Sequence, residues 1–223
     1  MKNNKISNIL IGVLFTLLFI SIGVIFTINF RQLYYFDIQY LNITQTSGYP
    51  EEQIKENYDA LIDYSSPFFK GELKFPSLPA SADGIQHFVE VKNIFTAFYV
   101  IFALSLIAII PIIIYKHKKK EYKYLLTSSI TVVVLPIIVL LGCSINFDVA
   151  FVIFHKIFFR NDYWLFDPFT DPVINILPDT FFLHAMLVIV CFVLVGSVSL
   201  LLSYRYKNKK YLFTKVLEDK SSN

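Results

Sequence analysis

Four long apolar runs interrupt this chain, at about 8–30, 93–115, 124–146 and 181–204, and polar segments of unequal length separate them. About 20 consecutive apolar residues cross a bilayer as a helix, and each run meets that length. The pattern predicts a membrane α protein with four transmembrane helices in a single integral domain, 1–223. The first run passes into Ile28-Asn29-Phe30-Arg31 without small residues spaced for signal cleavage, so it reads as a retained anchor.

Between the first two runs, residues 31–82 are long enough for a small head. Tyr34, Phe36, Ile38 and Tyr40 share a face at period two, which predicts a strand. Ser47-Gly48-Tyr49-Pro50 is turn chemistry, and Ile54, Tyr58, Leu61 and Ile62 then recur at helical spacing, so 51–64 is expected to be an amphipathic helix. Phe68 to Phe75 reads as a short strand or hairpin ended by Pro76 and Pro79. An α+β head is therefore expected.

Asp83 with Gln86 resembles a capping box, which starts the second long helix near Asp83, well before its apolar run. The other polar segment, 147–180, has a different character. Asp148 is placed to cap a greasy helix over Val149 to Phe159 that lies in the outer interface or packs among the spans. Asp167, Asp171 and Asp179 then alternate with prolines in a rigid, non-helical stretch. Irregular backbone at membrane depth is tolerated where protein covers it or it lines a wet cavity, so this stretch is the expected wall of a site.

Composition supports the membrane reading: 55% of residues are hydrophobic, 17% are charged, and 23 are Phe. Charge supplies the orientation. Thirteen of the 20 Lys and Arg residues, but only three of the 17 acids, fall in the N-terminal segment, in 116–123 and after 204. By the positive-inside rule these segments and both termini are cytoplasmic, and 31–92 and 147–180 are extracellular. The clusters account for the net charge of +3, so no nucleic-acid partner is implied. Cys143 and Cys191 give no disulfide framework.

Two histidines carry the candidate chemistry. His87 precedes the second run and His155 follows the third, so both belong to the outer side. Imidazole titrates near neutral pH, and two rings at one bilayer surface suit proton transfer on a lipid. Asp83 and Glu90, at i−4 and i+3 of His87, are placed to polarise it. His117 sits among lysines and reads as a solvated loop residue, while His184 reads as a packed interfacial side chain. No His-Glu-x-x-His, Gly-x-Ser-x-Gly or Gly-rich phosphate loop occurs, so neither metal nor cofactor is expected.

Gln86-His87-Phe88-Val89-Glu90-Val91-Lys92, the His155 segment, Trp164-Leu165-Phe166-Asp167-Pro168 and Leu177-Pro178-Asp179-Thr180-Phe181-Phe182 together resemble the bacterial lipoprotein intramolecular transacylase family, over essentially the whole chain. The resemblance implies an O-to-N acyltransferase acting on the diacylglyceryl-modified N-terminal cysteine of a lipoprotein. The sn-2 acyl chain moves to the α-amino group of the same cysteine, giving the lyso form. His87 and His155 would be the catalytic pair, with His155 as base and His87 as acid or oxyanion partner, or the reverse. Lys92, Asn161 and Trp164 are candidates for positioning the glyceryl and peptide groups, and Glu90, Asp148, Asp167 and Asp171 complete the expected substrate-binding set. A monomer from a Gram-positive bacterium is expected. The alternative from another class is a non-enzymatic envelope protein whose outer head binds or senses a partner; a weaker one is a metal-assisted lipid hydrolase.

Overall fold

A computed structural model describes residues 5–221. Its helices are α1 (Lys5–Asn29), α2 (Arg31–Tyr40), α3 (Ile43–Ser47), α4 (Glu51–Ser65), α5 (Ala82–Lys118), α6 (Lys123–Ile145), α7 (Phe147–Phe158) and α8 (Asp179–Ser221), with a 3₁₀ turn at Pro172–Ile176. Four helices are long and apolar enough to cross a membrane: Lys5–Asn29, Ala82–Lys118, Lys123–Ile145 and Asp179–Tyr211. Large apolar side chains on them, such as Leu104, Ile107 and Ile138, are exposed, as helices bathed in lipid require. At 1.5 Å per residue α5 is about 55 Å long, against roughly 30 Å of hydrocarbon. Its first turns therefore extend beyond the apolar run, and His87 lies in that extension.

The chain divides into two compact units. One comprises residues up to Gly23, Ile101–Val139, and the chain from Val190 onward. Its core is Ile11, Phe15, Leu18, Ile109, Val132, Val193 and Leu200. Small residues let its helices approach: a Cβ on Gly196 would stand 2.5 Å from the Phe19 ring, and one on Gly12 would stand 2.8 Å from Thr131. The Ser197 hydroxyl donates to the carbonyl of Ser129 at 2.8 Å.

The second unit comprises Val24–Val100 and Leu140–Ile189. Tyr34, Ile38, Ile54, Tyr58, Leu61, Val173, Ile176 and Phe181 form its centre. Tyr34 stacks on Tyr58 with ring centroids 3.7 Å apart, and its hydroxyl donates to the carbonyl of Ile176 at 2.5 Å.

Among the described residues there is no strand, so the expected α+β head is all-helical and irregular. The face at period two is split: Tyr34 and Ile38 are buried at 0% and 1% exposure, while Phe36 and Tyr40 stand 61% and 63% exposed. Tyr34 and Ile38 are four residues apart and share a helical face equally well, and that face found the core. Phe68 to Phe75, the expected hairpin, runs without regular structure; Leu73 is its one deeply buried apolar residue. Helix α4 follows its periodicity, burying Ile54, Tyr58 and Leu61. Arg31 ties α2 to α4 through Asp59 at 3.0 Å and through Asp63.

A second tie joins α2 to α8. Asp37 is fully buried, and both its carboxylate oxygens accept from His184 Nδ1, at 2.8 and 3.0 Å. The expectation that His184 is merely packed misses this partner, which lies 147 residues away in sequence.

Candidate active site

The start of α5 is built by Ser81 and Asp171. The Ser81 hydroxyl oxygen accepts the Gly84 N–H at 2.9 Å, a cap at the position two residues before the expected Asp83, which is exposed. Asp171 Oδ1 accepts the Ser81 N–H at 2.8 Å, and its Oδ2 accepts the Thr170 hydroxyl at 2.7 Å. A Cβ on Gly84 would lie 2.2 Å from Asp171 Oδ1, so glycine there is what lets the carboxylate reach the helix start. Asp171 is buried and both its oxygens are engaged within the protein.

Helix α7 starts at Asn146 rather than Asp148. Asn146 has extended backbone, φ −160°, and its side chain accepts the Val149 N–H at 3.0 Å, while Asp148, two residues later, is exposed. The helix buries His155, whose Nδ1 lies 2.8 Å from the carbonyl oxygen of Phe151. A carbonyl only accepts, so Nδ1 carries the proton and the Nε2 lone pair is the basic site of the neutral ring.

The two histidines converge. Their ring centroids are 6.0 Å apart, with planes at 34°. His87 is 5% exposed and His155 8%, and aromatic rings surround both. Phe159 lies 4.6 Å from His87 and 5.6 Å from His155, Phe166 lies 5.5 Å from His87, and Phe151 lies 4.2 Å from His155. Trp164 stacks on His155 at 4.7 Å and 26°. Burial in this apolar surround pushes the His155 pKa below its usual 6.5, with the Phe151 carbonyl and the charge of Asp179 opposing. His155 is therefore neutral at pH 7, the form a base requires.

Glu90 makes no hydrogen bond to His87. Its Oε1 accepts from Asn161 Nδ2 at 2.9 Å, while His87 Nδ1 and Glu90 Oε2 are buried without a hydrogen-bond partner in the protein. The expected polarisation of His87 by Asp83 or Glu90 is absent: one side chain is exposed and the other is drawn to Asn161. Asn161 is the hub, because its carbonyl also accepts the Trp164 indole N–H at 3.1 Å and its Oδ1 accepts the Tyr163 N–H at 3.1 Å. The chain Glu90, Asn161, Trp164, His155 thus connects α5 to the buried imidazole of α7.

Two further predicted positions are bonded elsewhere. Lys92 donates to the carbonyl of Phe69 at 2.9 Å and lies 4.4 Å over the Tyr64 ring, and Asp167 accepts the Phe169 N–H at 2.9 Å within its own turn. Among the described residues no three His, Cys, Asp or Glu side chains cluster closely enough to hold a metal ion. Phe151 and Phe159 are site residues that the sequence reading does not single out, and Phe166 enters it only as part of a motif. Phe151 is four residues before His155 on the same helix, a spacing that signals contact, whereas Phe159 follows the helix end with extended backbone.

If Asn161 holds Trp164 against His155, Asn161→Ala should lower the first-order rate constant about 10–100-fold, as loss of an orienting partner does. Stability should fall little, and Asn161→Asp should not restore the rate, because it places a second carboxylate against Glu90. The measurement is single-turnover rate beside thermal unfolding; an unchanged rate would remove Asn161 from the site.

The family model described as "Lipoprotein intramolecular transacylase Lit" matches residues 9–182. Among solved structures, the chain is similar to the membrane integral lipoprotein intramolecular transacylase Lit from Bacillus cereus, at 38% identity and TM-score 0.90, over 96% of this chain and 100% of that one. Two further structures of that protein, one histidine being replaced by arginine or by alanine, match at TM-scores 0.85 and 0.84 with the same 38% identity. They cover 94% of this chain, and 94% and 96% of theirs. No match is found among curated proteins.

Proposed function

The chain belongs to the lipoprotein intramolecular transacylase family, and we propose that His155 and His87 carry its acyl transfer, moving the sn-2 chain of the diacylglyceryl-cysteine to that cysteine's own α-amino group. It is a membrane-integral transacylase whose substrate is a lipoprotein. The observation that carries the reading is the approach of two buried imidazoles to 6.0 Å. At that centroid separation a reacting group between the rings is within hydrogen-bond reach, about 2.9 Å, of a nitrogen on each.

The protonation states order the steps. An α-amine has a pKa near 8, so roughly nine-tenths is ammonium at pH 7. His155, held below 6.5 by burial, is too weak a base to strip an ammonium efficiently. The neutral amine, favoured as the substrate leaves water for an apolar site, makes the attack. Forming the C–N bond places positive charge on nitrogen and negative charge on the ester oxygen. His155 Nε2 removes the nitrogen's proton, and His87 Nδ1 donates a hydrogen bond to the oxyanion. The C–O bond then breaks, and the glyceryl oxygen leaves with the proton held by His155. Donor and acceptor belong to one molecule, so positioning does much of the work. The surrounding phenylalanines limit competition from water. Glu90 Oε2 and Asn161 face the polar part of the substrate; Lys92, Asp167 and Asp171 hold the surrounding framework, and Asp148 is left exposed to substrate. Both termini are cytoplasmic, the site opens to the extracellular leaflet, and the enzyme acts as a monomer.

Mass spectrometry of a lipoprotein treated with the purified enzyme tests the regiochemistry: the product should gain an N-acyl group and lose one O-acyl group, with no change in total mass. Release of free fatty acid instead would sink the proposal. In the same assay log kcat/KM should rise with pH at slope about one towards the amine's pKa near 8. Below 6.5, where His155 begins to protonate, the slope should steepen towards about two. A slope of one throughout would remove His155 as base.

A further inference from the structure

In the unit that holds the basic end of α5, the helix closes with a tight turn. The N–H groups of Lys119, Lys120 and Glu121 bond to the carbonyls of Tyr115, His117 and Lys116. Lys120 takes the left-handed conformation, φ 53°, at a helix end that usually carries glycine. Against this turn lies a cavity of about 170 Å³ lined by His117, Lys120, Tyr122, Lys207, Lys210 and Tyr211. None of these is an acid, and Glu121, the carboxylate beside two of them, is engaged by Lys116 at 2.7 Å.

The depth of this cavity follows from the two helices that build it. Helix α5 is apolar through Ile112 to Ile114 and turns basic at Lys116; α8 is apolar through Leu200 to Leu202 and turns basic at Arg205. Both transitions mark the polar boundary of a bilayer, where tyrosines such as Tyr122 and Tyr211 are also favoured. The volume is below the roughly 300 Å³ of a drug-sized pocket, and so suits a headgroup rather than acyl chains. Lysine ammonium groups bind phosphate as point charges, and tyrosine hydroxyls donate to its oxygens.

We propose that this cavity binds the phosphate group of an anionic phospholipid. The site is separate from the acyl-transfer residues and does not depend on the reading given for them. Under the orientation proposed above it lies in the cytoplasmic leaflet. Its effect is to tether the ends of α5 and α8 to an anionic membrane.

Native mass spectrometry of the full chain, titrated with phosphatidylglycerol or phosphatidylcholine, is the test. Phosphatidylglycerol should be retained preferentially, and the Lys120→Ala/Lys207→Ala variant should lose roughly 30-fold or more in affinity, through loss of two charged hydrogen bonds to phosphate. Lys118→Ala/Lys209→Ala removes the same charge outside the cavity and should retain most of the affinity. Thermal unfolding and transacylation rate should match wild type in both variants, which separates binding from misfolding. Equal loss in both variants, or equal retention of the two lipids, would overturn the site. Inorganic phosphate competing at equal concentration would reassign it to a soluble phosphate and overturn the lipid reading.

Discussion

Replacing His155 by alanine should slow acyl transfer about 10²–10⁴-fold, the usual contribution of a positioned general base. His155 is singled out because its tautomer is set by the Phe151 carbonyl at 2.8 Å and its neutrality by burial. His87→Ala should cost a comparable factor through loss of the oxyanion donor. The two losses should not add, since both rings serve one reacting centre. Single-turnover rates on a synthetic diacylglyceryl peptide, with mass spectrometry of the product, give the measurement. A His155→Ala enzyme with wild-type rate would exclude the mechanism. Additive losses would mean that the rings act on separate steps. Burial also couples the site to stability. With the folded His155 pKa below the unfolded 6.5, the unfolded chain binds more protons as pH falls. Its contribution is complete above 6.5 and is lost from there down towards the folded pKa.

The second large effect is on folding. His184→Ala should destabilise the protein by roughly 1–3 kcal/mol, the cost of leaving a buried acceptor without its hydrogen-bond donor. Asp37 is fully buried and relies on His184 Nδ1 for both oxygens. Burial raises the Asp37 pKa and His184 pulls it back, so removing His184 raises it further. A carboxyl whose folded pKa exceeds the unfolded value loses stability as pH rises through that range, so the damage should be greater at pH 8 than at pH 5. In an Asp37→Asn background the same histidine substitution should cost distinctly less. Thermal unfolding of the four-member cycle would show this, and equal costs in both backgrounds would mean that the pair is not coupled.

The pairing of these two residues cannot be read from the sequence, and the reason is separation. Asp37 and His184 are 147 positions apart, Glu90 and Asn161 are 71 apart, and Ser81 and Asp171 are 90 apart. Hydrophobic periodicity informs on a helix and its caps, not on which distant polar group will meet it. The Tyr34 to Tyr40 segment shows the same limit at short range. Its aromatics fit either period, and contact with Tyr58 and the carbonyl of Ile176 selected the helix.

What the amino-acid order determined by itself is what local composition controls: four helices apolar enough for a membrane, the α4 amphipathic stripe, and the pair of histidines with the motifs that mark the family. Tertiary structure decided which groups became partners. It turned Glu90 towards Asn161 instead of His87, used Asp171 to hold Ser81, and paired His184 with a buried acid. An apolar run satisfies its backbone within its own helix wherever it lies, so its state can be read locally. A buried polar side chain must be satisfied by whichever group the fold brings within about 3 Å, and only the assembled chain supplies that distance.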